Sequence, residues 1–270
     1  MHIGVLSEYP ALVSALSQAA ASDNTVQVSR VGPGDDWPEG LTHLMLAPLG
    51  PTQEVGMTTD HHGLEWWQPQ LPELVAEAKA RQVALVLLSS DQVLAPDQWG
   101  VDEHIEPVGE TPVAQGLRQV EDAVGQSEHA LILRVPPILS AHPNGGLARL
   151  VSACLSQPAP EAPVQGAHYR GLQSLDDVAR VLLGMLQQLD CGAEAWGIYH
   201  YAGTEPVSHQ EFMHTLAQQL DIKGYPGDPT DSGLMGLNCQ HIMGTFGVHQ
   251  RTWRAILPEL LIQLGALNAQ

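Results

Sequence analysis

The sequence predicts an α/β architecture in which a parallel sheet is covered by helices on both faces. Short apolar runs of strand length alternate with stretches whose apolar residues recur at helical spacing, from the first residues to beyond residue 200. One of those runs, residues 83–89 (VALVLLS), is apolar almost without interruption, as a strand buried on both faces requires.

Each element follows from its own residues. Residues 2–6 form the first strand. Pro10 then stands where a first helical turn tolerates it, and Leu12, Val13, Leu16 and Ala20 make an apolar stripe through Ala21. Residues 26–31 are a second strand, 43–47 a third and 83–89 the fourth; the helix before the fourth carries Leu71, Leu74, Val75 and Ala78 at i, i+3, i+4 and i+7. A helix covers roughly residues 110 to 124, and a fifth strand, 129–135, is stopped by Pro136 and Pro137. Ser174 caps a helix bearing Val178, Val181, Leu182, Met185 and Leu189, with Asp177 placed to favour its N-terminus. Residues 196–202 are a further strand, and Ser208 with Glu211 forms a capping-box signature ahead of Phe212, Leu216 and Leu220. Between residues 225 and 247 the composition predicts a loop, before a last helix over about 252–264.

The chain has 270 residues, 44% of them hydrophobic, enough for one large domain or two closely joined ones. Thirty acidic residues oppose eleven basic ones, giving a formal charge of −19, and only Lys79 and Lys223 are lysine. Such a field repels phosphate-rich polymers, so nucleic acid is excluded as a partner. The acidity fits either a basic partner protein or a solvated surface of an acid-biased proteome. No apolar run reaches membrane-spanning length and no signal-peptide pattern opens the chain, so a cytoplasmic protein is expected. Cys154, Cys191 and Cys239 form no framework for disulfides or thiolate zinc. Asp60, His61 and His62 are adjacent, but neighbours in sequence do not share a helix face; no metal site is expected. The elbow of serine hydrolases and the P-loop of nucleotide hydrolases are both absent. Trp66 and Trp67, within residues 61–71 (HHGLEWWQPQL), read either as an anchor for a protein partner or homodimer, or as a long loop packed on the sheet.

Four strings in order carry a family likeness: residues 88–94 (LSSDQVL), 130–140 (ALILRVPPILS), 197–206 (GIYHYAGTEP) and 245–257 (TFGVHQRTWRAIL). In these the chain resembles the extended short-chain dehydrogenase/reductase superfamily, in its dTDP-4-dehydrorhamnose reductase-like branch that binds sugar nucleotides. The resemblance implies one unit over residues 1–270: a Rossmann-like doubly wound core, about 1–135 and 165–203, with a smaller C-terminal lobe of the substrate-binding type, about 136–164 and 204–270. It also implies NAD or NADP as cofactor and a nucleotide-sugar ligand.

The residues that would do the chemistry depart from the family pattern. A Gly-x-x-Gly-x-x-Gly loop laid on the first turn without gaps places its glycines at Ser7, Pro10 and Val13. Pro10 removes a donor, Val13 adds bulk and Glu8 brings negative charge where a pyrophosphate would lie. The carboxylate that holds an adenosine ribose falls at Ser29 or Arg30. The Tyr-x-x-x-Lys pair, with Glu121 as register mark, falls on Val113 and Leu117; no tyrosine lies between Tyr9 and Tyr169 and no lysine between Lys79 and Lys223. Only Ser90 matches the family triad, either as a ligand contact or as a serine bonded locally at a strand end. Ser90, Asp91, Arg134 and Arg170 are the candidates for a substrate cleft, the arginines binding diphosphate or pairing with carboxylates. His200 reads as a strand-end packing or hydrogen-bonding residue rather than a base. The expectation is a pseudoenzyme with a binding or regulatory role, with no cofactor and no catalytic residues. The alternative is an active NAD(P)-dependent reductase or other nucleotide-sugar enzyme with a rebuilt site.

Overall fold

The structure, a computed structural model, describes residues 1–57, 62–156, 168–222 and 235–267. Its chain order opens β1 (His2–Leu6), α1 (Pro10–Ala19), β2 (Gln27–Val31), β3 (His43–Leu46), α2 (His62–Arg81) and β4 (Ala84–Ser90). It continues with α3 (Pro112–Gly125), β5 (Ala130–Val135), β6 (Ile138–Leu139), α4 (Gly146–Leu155), β7 (His168–Tyr169), β8 (Gln173–Ser174) and α5 (Leu175–Asp190). It closes with β9 (Gly197–His200), β10 (Val207–Ser208), α6 (His209–Gln219), α7 (Gln240–Phe246) and α8 (Trp253–Gln263).

Six strands form one parallel sheet in the order β2-β1-β3-β4-β5-β9. The order reverses between β1 and β3, and open α/β sheets bind ligands in the crevice at that reversal. The usual doubly wound order has a third strand beyond the second. Here residues 32–42 run from β2 straight to β3, so β2 is an edge. Side chains alternate across the strands: Ile3, Val5, Met45 and Leu133 pack with α1 and α5, whereas Leu44, Leu46, Leu85 and Leu87 pack with α2 and α3. A third apolar cluster, with Leu147, Phe212, Trp253 and Leu257, joins α4, α6 and α8. Two short pairs, β6 with β8 and β7 with β10, tie this region to the strand ends. No helix among the described residues is long and apolar enough to cross a membrane.

The structure corrects two expectations. Residues 62–71 are helical, although α2 holds Pro69 and Pro72. A proline costs a helix interior about 3 kcal/mol, but Leu64, Trp67, Leu71 and Leu74 all reach buried positions along α2. Each such burial contributes roughly 1.5–3 kcal/mol, enough to offset the prolines. Trp67 belongs to the core at 5% exposure, while Trp66 keeps 38% of its surface in solvent. Secondly, α7 lies inside the stretch read as a loop. Ile242 and Phe246 bury its face toward Tyr199, and Gly247 at φ +69° ends it. Residues 223–234 lie outside the described residues, as do Asp60 and His61.

Gly146 opens α4 where a Cβ would stand 1.9 Å from the Val55 carbonyl, whereas a Cβ at Gly184 of α5 meets nothing. Gly146→Ala is therefore expected to lose about 1–3 kcal/mol in urea denaturation, and Gly184→Ala to gain roughly 0.5–1 kcal/mol. Equal effects would contradict this packing.

Candidate functional site

At the carboxyl ends of β1 and β3 the turn into α1 is closed by its own side chains. Ser7 Oγ donates to the Ala47 carbonyl at 3.0 Å and accepts from the Tyr9 N–H at 3.1 Å. Pro10, at the first helical position, has no N–H to offer. Two consecutive positions, Tyr9 and Pro10, thus offer no free N–H to an anion. Val13 packs half-buried on the core.

Tyr9 turns inward, 2% exposed, and its hydroxyl donates to Glu54 Oε1 at 2.5 Å. Glu54 follows the 3-10 turn Gly50–Gln53 and is equally buried. It also accepts from Ser140 Oγ at 2.8 Å and from the Gly146 N–H at 2.6 Å. Burial, and then the Glu54 carboxylate, push the Tyr9 phenol well above its usual value, so it stays a donor. A pyrophosphate needs free N–H groups at the start of α1 and room beside them. This turn offers a tyrosine ring and a carboxylate instead, and the residues do not fit a dinucleotide held there.

On α3, capped by Thr111 through the Ala114 N–H, Val113 and Leu117 are buried in the apolar core. One turn further, Glu121 accepts from Arg134 Nε at 2.9 Å, Arg134 Nη2 at 2.6 Å and Ser89 Oγ at 2.6 Å. Arg134 is 2% exposed, and its remaining nitrogen, Nη1, has no partner among the described residues. His200 stands opposite Arg134 in register; burial and then that guanidinium pull its pKa down to about 3, so it is neutral. Its place at a strand end agrees with the sequence reading.

The other cleft candidates form a second closed group. Ser90 Oγ accepts from the Gln92 N–H at 3.3 Å, the local role. Asp91 pairs with Arg170 Nη1 at 3.2 Å. Burial raises the Asp91 pKa, and Arg170 opposes the shift. Arg170 also donates to the carbonyls of Gln98 at 3.1 Å and Ala95 at 2.6 Å, with its Cζ 4.8 Å over the Trp99 ring. The structure thus brings Asp91 and Arg170 together but leaves Arg134 in a separate pair, and both arginines hold protein groups. Among the described residues, no three His, Cys, Asp or Glu side chains gather as metal ligands. Sequence reasoning missed Tyr9, Glu54 and Ser140. Its only available signal was a tyrosine set in the loop just ahead of Pro10.

The family model described as RmlD substrate binding domain matches residues 69–265. No curated protein matches the sequence. Among solved structures, a dTDP-4-dehydrorhamnose reductase of Clostridium acetobutylicum superposes with a TM-score of 0.77 at 14% identity, over 98% of this chain and 100% of that one. The dTDP-glucose 4,6-dehydratase of Bacillus anthracis, in complex with NAD, gives 0.74 at 12% identity, over 98% and 96%. The dTDP-4-dehydrorhamnose reductase of the same organism, in complex with NADP, gives 0.65 at 13% identity, over 97% and 98%. At these identities the likeness establishes the fold.

Tyr9→Phe removes one of the donors to Glu54 and is expected to cost about 1–2 kcal/mol at neutral pH in urea denaturation. Tyr9, Tyr169 and Tyr201 all have raised pKa values, chiefly from burial. The unfolded chain gives up these protons near pH 10 and the folded chain does not. Stability therefore holds below about pH 10 and falls above it, by roughly 1.4 kcal/mol per pH unit for each tyrosine. Tyr9→Phe should flatten that alkaline slope by one tyrosine's share; an unchanged slope would contradict the burial of Tyr9.

Proposed function

The chain belongs to the RmlD substrate binding domain family, and from that premise we propose that it is a pseudoenzyme, a reductase fold that works by binding rather than by NAD(P)-dependent reduction. The observation that carries this reading is the Tyr9–Glu54 hydrogen bond, which fills the reversal point of the sheet where this fold class holds dinucleotides. Relatives of the same fold are complexed with NAD or NADP. Here the turn has its Tyr9 N–H spent on Ser7, no N–H at Pro10, and the Glu54 carboxylate against the Tyr9 hydroxyl.

A second, independent feature supports it. Hydride transfer in this superfamily needs a proton donor and a cation on the helix that faces the nicotinamide. Val113 and Leu117 are hydrocarbon and buried, and neither gives up nor steadies a proton. Either change alone removes one part of the reaction. Together they remove cofactor binding and proton transfer. The arginines expected to grip a diphosphate are paired with Glu121 and Asp91, so neither guanidinium is free to do so.

Isothermal titration with NADPH and NADH up to about 1 mM is expected to give no saturable heat. The double variant Val113→Tyr, Leu117→Lys is expected to show no NADPH oxidation with dTDP-4-dehydrorhamnose, since restoring the pair does not reopen the turn. Micromolar binding of either nucleotide by the unmodified protein would overturn the reading.

A further inference from the structure

We propose that the groove between residues 32–42 and α2 binds an arginine-bearing segment of a partner protein. The chain passes from β2 directly to β3, and Trp37 and Leu41 of that connection pack on the cluster that α2 shares with the sheet. It leaves a cavity of about 230 Å³ whose walls include Trp37 and Trp66 and the carboxylates of Asp35, Asp36, Glu73 and Glu77. Among the described residues no lysine, arginine or histidine lines it, and Arg81 reaches its wall only at Trp37 and Glu77.

These walls suit one kind of occupant. A guanidinium is planar, weakly hydrated and always charged, so it stacks on an indole while its fork of donors meets carboxylates. Trp66 is the exposed platform, and it is fixed in place by edge contact with core-buried Trp67 at 5.0 Å between ring centroids. Asp36 and Glu73 are exposed and have no hydrogen-bonding or ionic partner among the described residues. The chain supplies its own precedent. Arg81 lies with Cζ 5.3 Å from the Trp37 ring centroid while its Nη2 bonds Glu77 at 2.6 Å. Among the described residues Arg81 meets only Glu77 of the four carboxylates, and the groove offers the same stack-and-fork chemistry at Trp66.

The wider field favours the same partner. A formal charge of −19 draws a basic segment in and repels phosphate-bearing ligands. An apolar helix would leave the acidic rim desolvated and unpaired, which is costly. A lysine carries the charge but lacks the flat face that the indoles offer.

The site deepens the binding role proposed above and depends on it only for its purpose. Peptide binding tests the groove and nucleotide binding tests the pseudoenzyme reading, so either can fail alone. The experiment is a titration of the full chain with the tripeptide acetyl-Arg-Gly-Arg-amide at low salt, followed by tryptophan fluorescence. Saturable binding is expected, weakened about three- to tenfold by Trp66→Ala and by the rim changes Asp36→Asn and Glu73→Gln. It should also be weakened by replacing both arginines of the peptide with lysine. Trp66→Ala must keep the melting temperature of the parent chain to count, and the two rim variants give the same readout if it does not. Absence of saturation, binding indifferent to these variants, or preference for adenosine over the peptide would each overturn the proposal.

Discussion

Glu54 is 2% exposed and is met by three donors from two distant stretches of chain: Tyr9 ahead of α1, and the β6–α4 connection through Ser140 and the first N–H of α4 at Gly146. A carboxylate taken out of water costs several kcal/mol unless its lone pairs are met, so these contacts stand or fall as a group. The constraint reaches outward from there. Tyr9 must stay protonated and inward, the connection after β5 must cross the strand ends to bring Ser140 in, and α4 must begin at a glycine because Val55 presses on it. Tyr9, Glu54 and Ser140 are thereby part of the buried interior at the strand ends.

The same economy runs through the rest of the strand ends. Arg134 and Glu121 bind one another across β5 and α3, and Arg170 and Asp91 do so beside the turn after β4. Breaking either pair by removing one partner leaves a buried charge unmet, at a cost of about 3–5 kcal/mol. The cleft candidates Arg134, Asp91 and Arg170 are therefore bound to the protein itself. The charge that faces solvent is overwhelmingly acidic, and the groove beside Trp66 is where it meets exposed aromatic surface.

The sheet was readable because its strands are unbroken apolar runs bounded by turn residues. Residues 83–89 were expected and Ala84–Ser90 observed; 129–135 were expected and Ala130–Val135 observed. The caps at Ser174 and Ser208 were readable for the same local reason, and both side chains accept from the N–H three residues on. Elements that depend on distant packing were not. Propensity argues against a helix through Pro69 and Pro72, and only burial on the sheet holds it. In α4, Leu147, Val151 and Cys154 lie on one buried face, but Gly145 and Gly146 ahead of them read as loop. At the site, the departures expected at Ser7, Pro10, Val13, Val113 and Leu117 were read from residue type alone. The Tyr9 contact could not be read so, because Tyr9 meets Glu54 across 45 positions of chain. For the same reason Arg170, 79 positions from Asp91, read equally well as a ligand contact.

The most direct measurement is a crystal structure grown in a large excess of NADPH. The expected result is the Tyr9 hydroxyl on Glu54 and protein side chains alone between the ends of β1 and β3. Nucleotide bound across that point, with Tyr9 swung away from Glu54 to admit it, would contradict it.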